Sequence, residues 1–346
     1  PVENLESFYA ARLAAEAGKS RDDFGLYHTY TEAIDAMDAL VAAHPALISP
    51  KQSIGTTIEG RQIYVYKISD HPGVDEDEPE IFFNAYIHAR EVITFEVLYD
   101  LAQYLLTGYG TDPRATTLVD TREIWFLPVV NPDGVEYNRQ TDPGGGGMWR
   151  KNRRNNGDGS FGIDLNRNFG YLWGYDNEGS SPSGWDETYR GTGPFSEPET
   201  VAFRDFVAER HFKSALNYHS YSNLHNFAPG HDNVHTDDYD ELFELGRMRR
   251  ATSGYQTGAT WELLYRVNGD CNDWMLQDVA TKPKILCFVT EVGSQNDGFW
   301  PLQSRIPALC AENREANLRM VELADNPLRV LPPGVSLVAM PDTVPS

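Results

Sequence analysis

Short apolar runs alternate with amphipathic segments along most of this chain. The run 81–87 contains two isoleucines and two phenylalanines, and the runs 123–130, 212–219 and 284–291 are similarly rich in apolar residues. Runs of this length and composition are typical of interior strands in a sheet that is covered on both sides. The pattern therefore predicts at least four buried strands.

Apolar residues recur at helical spacing between these runs, and residues 54–69 read as a β-hairpin. Thr31 is expected to cap the first helix, and the segment 131–134 is expected to be a turn. Strands that alternate with helices predict an α/β fold with a mixed, largely parallel twisted sheet and helices on both faces. The predicted helices cover 31–43, a segment beginning near Val92, 198–210, 240–251 and 307–324.

The chain has 346 residues and 40% hydrophobic content, which suffices for one large core. We expect residues 1–325 to form a single domain with a peripheral N-terminal segment, 1–25. Residues 326–346 contain several prolines and are expected to form a tail.

Three of the predicted strands lead into ionisable residues, His88, His219 and Glu291. In open α/β sheets, ligands gather beyond the carboxyl ends of the strands. His88 and Glu91 are three residues apart at a predicted strand-to-helix turn, so both can reach one metal ion from the same side. His219 is the natural third ligand, although a structural histidine is the alternative. Two histidines and a glutamate predict one catalytic Zn²⁺ per chain with an open position for water.

Charge and composition exclude some partners. The formal net charge is −22, so nucleic acid is not expected to bind. No apolar run is long enough for a membrane span.

The three cysteines allow one disulfide with a free thiol, or none. The acidic segment 70–80 is expected to be a solvated loop, with a calcium site as the less favoured alternative.

Several short motifs, in order from about residue 27 to 324, carry a resemblance to a known family. The sequence resembles the zinc carboxypeptidases (funnelins), and its layout is similar to the pancreatic carboxypeptidase A type catalytic domain. The matching stretches are Ile54-Gly55…Glu59-Gly60-Arg61, His88-Ala-Arg90-Glu91, Asn131-Pro-Asp-Gly134, Met148-Trp-Arg150-Lys151, Asp164-Leu-Asn166-Arg167-Asn168, Asn217-Tyr-His219-Ser220-Tyr221-Ser222, Leu264-Tyr265…Asp273-Trp274 and Thr290-Glu291.

The resemblance implies a role for each matched residue. His88, Glu91 and His219 would bind zinc, and Glu291 would be general base and then general acid. Arg150 would polarise the scissile carbonyl. The implied substrate is the C-terminus of a peptide or protein. The protein itself is expected to be a monomer that is secreted to the extracellular space or periplasm. The other implied substrate contacts are Arg90, Asn166, Arg167, Ser220, Tyr221 and Tyr265.

In this family, one position at the pocket floor sets the preference for the C-terminal side chain. The alignment through Tyr265 and the pair 273–274 puts Asn272 there, which is neither acidic nor apolar. Asp270 could admit basic residues from the side, so we expect an apolar or mixed preference. Gly230, Thr260 and Val267 are expected to line the rest of the pocket.

Two alternatives stay open at this point. The chain could be an inactive relative that binds zinc or peptides, although Glu291, whose loss would mark such a protein, is present. It could instead be a zinc amidohydrolase acting on cell-wall peptides. The joint presence of Arg150, Asn166, Arg167 and Tyr265 argues against that second alternative.

Overall fold

A computed structural model describes residues 23–325, in which one eight-stranded mixed sheet has the order β1-β2-β4-β3-β5-β8-β6-β7. Strands β3, β4, β5 and β8 run parallel, while β2 pairs antiparallel with β4 and β6 pairs antiparallel with β8. The predicted mixed, largely parallel sheet is therefore confirmed. The strands are β1 (Gln52–Thr56), β2 (Gln62–Ile68), β3 (Glu80–Asn84), β4 (Glu123–Leu127), β5 (Phe212–His219), β6 (Leu224–Phe227), β7 (Gln256–Ala259) and β8 (Leu286–Glu291).

Helices lie between the strands, and five of them match the predicted helical segments to within two or three residues. Within the described residues the α-helices are α1 (Tyr30–Ala43), α2 (Ile93–Gly108), α3 (Pro113–Val119), α4 (Pro132–Thr141), α5 (Pro198–Ala208), α6 (Tyr239–Ser253), α7 (Thr260–Leu263), α8 (Cys271–Gln277) and α9 (Ile306–Leu323). None of these helices combines the length and apolarity that crossing a bilayer requires.

Both faces of the central strands are covered, because every residue of β3 and of β4 is buried. Aromatic rings fill much of this core. The Phe82 ring lies 5.3 Å from that of Phe203 and 5.1 Å from that of Phe212, between centroids. The Trp274 ring lies 5.5 Å from that of Phe169 and 6.4 Å from that of Phe203, between centroids. These contacts join α5, which contains Phe203, to the face of the sheet that carries Phe82.

Local capping explains two differences from the sequence-based expectations. Thr29, not Thr31, caps α1, because its side chain accepts from the Glu32 amide while Glu32 bonds back to the Thr29 backbone. The segment 131–134 is not an isolated turn but the start of α4. Asn131 accepts from the Gly134 amide, and Pro132 suits the first helical position.

The three cysteines are buried free thiols, so the alternative with no disulfide is the one observed. The predicted tail at 326–346, and most of the predicted peripheral segment, lie outside the described residues. The prediction of a single domain over 1–325 accordingly stays a prediction.

Replacing Phe82 by alanine should lower the free energy of unfolding by about 3–5 kcal/mol, because a fully buried ring would leave a cavity between α5 and the sheet. Chemical denaturation followed by circular dichroism measures the change. Trp185→Ala is the control: this side chain is 73% exposed, and its loss should cost less than about 0.5 kcal/mol. Similar losses in the two variants would contradict the assignment of Phe82 to the core.

Candidate active site

His88, Glu91 and His219 converge at the carboxyl ends of β3 and β5. His88 Nδ1 lies 2.8 Å from Glu91 Oε1, and His219 Nδ1 lies 3.0 Å from Glu91 Oε2. The two Nδ1 atoms are 3.0 Å apart. All three side chains are buried, and one ligand atom of each lies within 4.8 Å of the others. Three donors directed at one point form a candidate metal centre.

The far side of each imidazole is fixed by a polar neighbour. His88 Nε2 lies 3.0 Å from Asp164 Oδ1, so Nδ1 is the nitrogen that points into the centre. His219 Nε2 faces the Asn166 side-chain amide at 3.4 Å. The Asp164 carboxylate can accept from Nε2–H of His88, which leaves Nδ1 of that ring unprotonated and oriented for a metal. The Asp164 contact was missed at the sequence level, where this residue was noticed only as part of a motif.

Asp164 is fully buried and organises the centre from behind. Its Oδ2 accepts from Arg150 Nε and Nη2 at 3.0 and 2.9 Å, and its Oδ1 also accepts from the Asn166 backbone amide. Burial alone would raise the pKa of this carboxyl, but Arg150 and His88 hold it well below its usual range. Asp164 therefore stays ionised and keeps Arg150 in place beside Glu91. The distance between Arg150 Nη1 and Glu91 Oε1 is 3.8 Å.

Glu291 ends β8 directly beside His219, its register partner in β5. Its side chain lines the same cavity as the three candidate ligands. Burial, together with the nearby Glu91 carboxylate, raises the pKa of Glu291 to about 8, although His219 acts in the opposite direction. A carboxyl group with so perturbed a pKa inside a cleft is typical of a functional site.

A cavity of about 320 Å³ opens in front of these groups. The predicted site residues that line it, besides the four just described, are Arg90, Arg150, Asn166, Arg167, Ser220, Tyr221, Thr260, Tyr265, Val267 and Asp270. The structure also adds lining residues that were not predicted, among them Asn226, Val289 and Phe299. Asn226 and Val289 lie on neighbouring strands, and only the pairing of β6 with β8 brings them together.

Two residues expected in the pocket, Gly230 and Asn272, do not line the cavity. The Asn272 side chain turns into the core, where its Oδ1 accepts from Asn217 Nδ2 at 2.5 Å. Gly230 is covered by Val267, whose Cγ2 would be 2.3 Å from a Cβ built on the glycine. The expected floor position thus faces away, and Asp270 is the acidic residue that lines the cavity besides Glu91 and Glu291.

Arg167 is 2% exposed and lies on the short 3₁₀ segment Leu165–Arg167. Its Nε donates to the Gly179 carbonyl at 2.9 Å, and Nη1 donates to the Asn166 carbonyl at 2.7 Å. Asn166 is fixed as well, because its Oδ1 accepts from the Cys271 amide at 3.0 Å. The cavity therefore contains a rigidly held positive charge a short way from the metal centre.

Arg90 and Tyr265 line the cavity and are both in partial contact with solvent. The Arg90 guanidinium stacks over the Phe299 ring at 4.2 Å and donates to Glu187 at 3.0 Å. Tyr265 is 54% exposed.

The donor set fits zinc. Two imidazole nitrogens and a carboxylate are ligands that Zn²⁺ prefers, and three protein ligands leave a position open for water or substrate. Glu91 offers a charged oxygen, because the two histidines lower the pKa of this carboxyl despite its burial. Burial and the nearby Arg150 lower the pKa of His88, which favours the neutral form that binds metals.

A buried two-histidine, one-carboxylate centre at the carboxyl edge of a mixed α/β sheet defines a class of metal-dependent proteins. The model of one family, described as zinc carboxypeptidase, matches residues 33–316. This chain belongs to that zinc carboxypeptidase family, whose members use one zinc ion.

Individual relatives agree with this membership. The chain is 35% identical to carboxypeptidase A2 of Rattus norvegicus over 260 residues, which are 73% of this chain and 60% of the relative. It is 34% identical to a zinc carboxypeptidase of Saccharothrix mutabilis subsp. capreolus over 305 residues, 84% of this chain and 68% of the relative. The crystal structure of carboxypeptidase A from Helicoverpa armigera superimposes with a TM-score of 0.79 at 26% identity, covering 94% of this chain and 82% of that one. The match spans only 60% of the length of the rat protein.

Asp164→Asn should weaken zinc binding by about 10- to 100-fold, because His88 would lose the carboxylate that orients it. Competition with a chromophoric chelator measures the dissociation constant on protein shown by circular dichroism to be folded. Asp158→Asn, which changes an exposed carboxylate of the same loop, is the matched control and should bind zinc normally. Equal affinity in both variants would refute the orienting role of Asp164.

Proposed function

We propose that this protein is a zinc-dependent exopeptidase that hydrolyses the last peptide bond of a chain and releases single C-terminal amino acids. The observation that carries the proposal is the position of Arg167. It is a buried, fixed cation in the same cavity as the metal centre and Glu291. Membership of the zinc carboxypeptidase family supports the same reaction.

Glu291 is proposed as general base and then general acid. It would take a proton from the attacking water and pass it to the leaving amine, which requires a carboxylate within hydrogen-bond reach of both. Its raised pKa suits such an exchange, because a group poised near neutral pH gives up and accepts a proton at small cost. Zinc, when bound, would supply acidification of the water and polarisation of the carbonyl.

Arg150 is proposed to stabilise the negative charge that develops on the carbonyl oxygen. The guanidinium is held by Asp164 and lies beside the metal centre, so it is preorganised before substrate arrives. Preorganised charge in an enclosed site is usually the largest single contribution to such catalysis. Asp164 makes this preorganisation possible, because its carboxylate compensates the positive charge of the buried Arg150.

Arg167, with Asn166, is proposed to bind the free carboxylate of the substrate. Guanidinium groups pair well with carboxylates, and pairing here would place the last peptide bond over the metal centre. An internal or amidated segment would leave the arginine without its partner, at a free-energy cost that gives specificity for the chain end. Tyr265 would close over the bound residue, and Arg90, Ser220 and Tyr221 would contact the chain behind it.

The preference for the C-terminal side chain is proposed to be mixed. Val267, Thr260 and Val289 offer apolar surface, whereas Asp270 brings one acidic group to the cavity. Burial and the neighbouring Asp273 raise the pKa of Asp270 to about 7, so this group can present either a carboxyl or a carboxylate. We further propose that the protein is secreted and acts as a monomer on peptide or protein C-termini.

The test of exopeptidase activity uses N-blocked dipeptides that have either a free or an amidated C-terminus. The zinc-loaded protein should cleave the free acids and discriminate against the amides by at least about 100-fold, because only the acids can pair with Arg167. Release of the amino acid is followed by chromatography. Equal cleavage of the two series would defeat the proposal and would favour the amidohydrolase alternative.

Arg167→Lys should lower kcat/KM for the free acids by about 10- to 100-fold and shrink the discrimination against amides, because an ammonium cannot pair with both carboxylate oxygens at once. The conservative change avoids leaving the cavity without a cation. Arg204→Lys on α5, whose guanidinium is partly exposed, is the matched control. Undiminished discrimination in Arg167→Lys would exclude the proposed carboxylate pairing.

Glu291→Gln should retain zinc and reduce kcat by about 100- to 10,000-fold, because the isosteric amide cannot accept the proton. Steady-state kinetics and metal analysis of the same preparation give both quantities. Glu209→Gln, an equal change at an exposed position, should leave both unaltered. If Glu291→Gln keeps its metal and its turnover stays within tenfold of the parent, another group is the base.

A further inference from the structure

A row of buried polar side chains crosses the sheet directly behind the candidate active site. Tyr218, Thr290 and His225 are register partners on β5, β8 and β6, so their side chains share one face of the sheet. Tyr218 immediately precedes His219, and Thr290 immediately precedes Glu291. Because successive side chains of a strand point to opposite faces, this row lies on the face away from the cavity. The proposed reaction makes no use of it.

Arg249, on α6, brings a positive charge to this row. Its side chain is fully buried, at 0% exposure. Nη2 donates to Thr290 Oγ1 at 2.8 Å, whereas Nε and Nη1 are buried and donate to no group of residues 23–325. Burial lowers the pKa of Arg249 to about 9, so the guanidinium is still charged at neutral pH. Most of its hydrogen-bonding capacity is therefore unused by the described part of the chain.

No carboxylate of the described residues compensates the charge of Arg249. The groups beside the guanidinium are the Thr290 hydroxyl, the Phe288 ring, whose centroid is 5.0 Å from Cζ, and the Tyr218 phenol. Burial and the charge of Arg249 lower the pKa of His225 well below its usual range, so this neighbour is neutral as well. A contact with one aromatic face offsets only part of the cost of removing a charge from water.

Further donors lie close to the guanidinium. The Tyr218 hydroxyl is buried, and Arg249 and Asn317 of α9 are polar groups near it. A tyrosine is a neutral phenol at physiological pH, so Tyr218 can donate a hydrogen bond but brings no negative charge. Asn317 adds a buried side-chain amide. An anion beside these donors would accept hydrogen bonds and compensate the charge of Arg249, whereas a water molecule would supply only the hydrogen bonds.

The enclosure of these groups limits the anion to a small one. Arg249 and Tyr218 are 0% exposed and Asn317 is 1% exposed, so the rest of an organic anion could not extend to solvent from here. One guanidinium carries one charge, and a monovalent ion compensates it without leaving an excess of negative charge in the core. Chloride meets both conditions.

We propose that Arg249, with Tyr218 and Asn317, binds one chloride ion behind the strand ends that carry His219 and Glu291. The ion ties α6 and α9 to β5 and β8. The sequence shows Arg249 only as one of three arginines within 247–250, and it cannot show that this one is buried while the other two are exposed. The proposal goes beyond the peptidase function and does not rest on it, since ion binding is measured without any substrate.

The first test compares thermal unfolding of the zinc-loaded protein in sodium chloride and in sodium gluconate, whose anion is too large for the enclosed site. For a dissociation constant of about 1 to 10 mM, about 100 mM chloride should raise Tm by about 2–5 °C over gluconate at the same concentration. Arg249→Met should abolish this rise, because it removes the charge and keeps a long apolar side chain. Arg250→Met, an exposed change at the next position of α6, is the matched control and should keep the rise.

Two further comparisons keep the test informative whatever the stability of Arg249→Met. Tyr218→Phe removes only the hydroxyl from a buried ring, so it is expected to fold, and it should lose more than half of the chloride-dependent rise. Arg249→Met should unfold in gluconate at the temperature of the parent or above it, because an uncompensated buried charge is replaced by an apolar group.

Bromide gives a direct measurement that does not depend on stability. Crystals of the parent grown in sodium bromide should show an anomalous peak at the bromine absorption edge beside Nε and Nη1 of Arg249. Crystals of Arg249→Met should show none at that place. The proposal is overturned if chloride raises Tm of the parent no more than it raises Tm of Arg249→Met. It is also overturned if bromide in crystals of the parent is found at surface positions alone.

Discussion

The pairing register of β3, β5 and β8 is the constraint on which the rest of the site depends. In that register His219 lies opposite Glu291, and the chain beyond β3 brings His88 and Glu91 to the same edge. A shift of one residue in any of these strands would turn every side chain to the other face of the sheet. The register is itself fixed by core packing, because the apolar residues of β3 and β5 are buried on both sides.

Charge compensation is the second requirement, because the site concentrates several ionised groups in a low-dielectric space. Asp164 lies between His88 and Arg150 and neutralises part of the positive charge, while the two histidines flank Glu91. Buried charges that lack such partners cost several kcal/mol each. The network around Asp164 therefore serves both stability and the orientation of the groups that would act on substrate.

The two ends of β3 present a physical contrast. At the carboxyl end, mixed nitrogen and oxygen donors converge in the manner that zinc favours. At the amino end, the buried carboxylates of Glu80 and Glu123 are register partners, and they are compensated from within the protein. Lys67 Nζ donates to Glu123 Oε1, and the His211 backbone amide donates to Glu80 Oε2, each at 2.6 Å.

The sequence by itself determined the local features of this protein. Apolar runs predicted the strands, periodic spacing predicted the main helices, and the ionisable residues at the strand ends pointed to one metal centre. These signals are readable because strand and helix periodicities are properties of a few consecutive residues. The match of motifs such as His88-Ala-Arg90-Glu91 added the family, which the comparisons confirm.

Only the tertiary structure decided which distant groups share a space. It showed that Asp164 orients His88, that Asn272 turns into the core while Asp270 reaches the cavity, and that Glu123 joins the acidic segment. Each of these facts depends on strand pairing or on the direction in which a side chain leaves its helix or loop. Such contacts join residues dozens of positions apart, and no local pattern in the sequence encodes them.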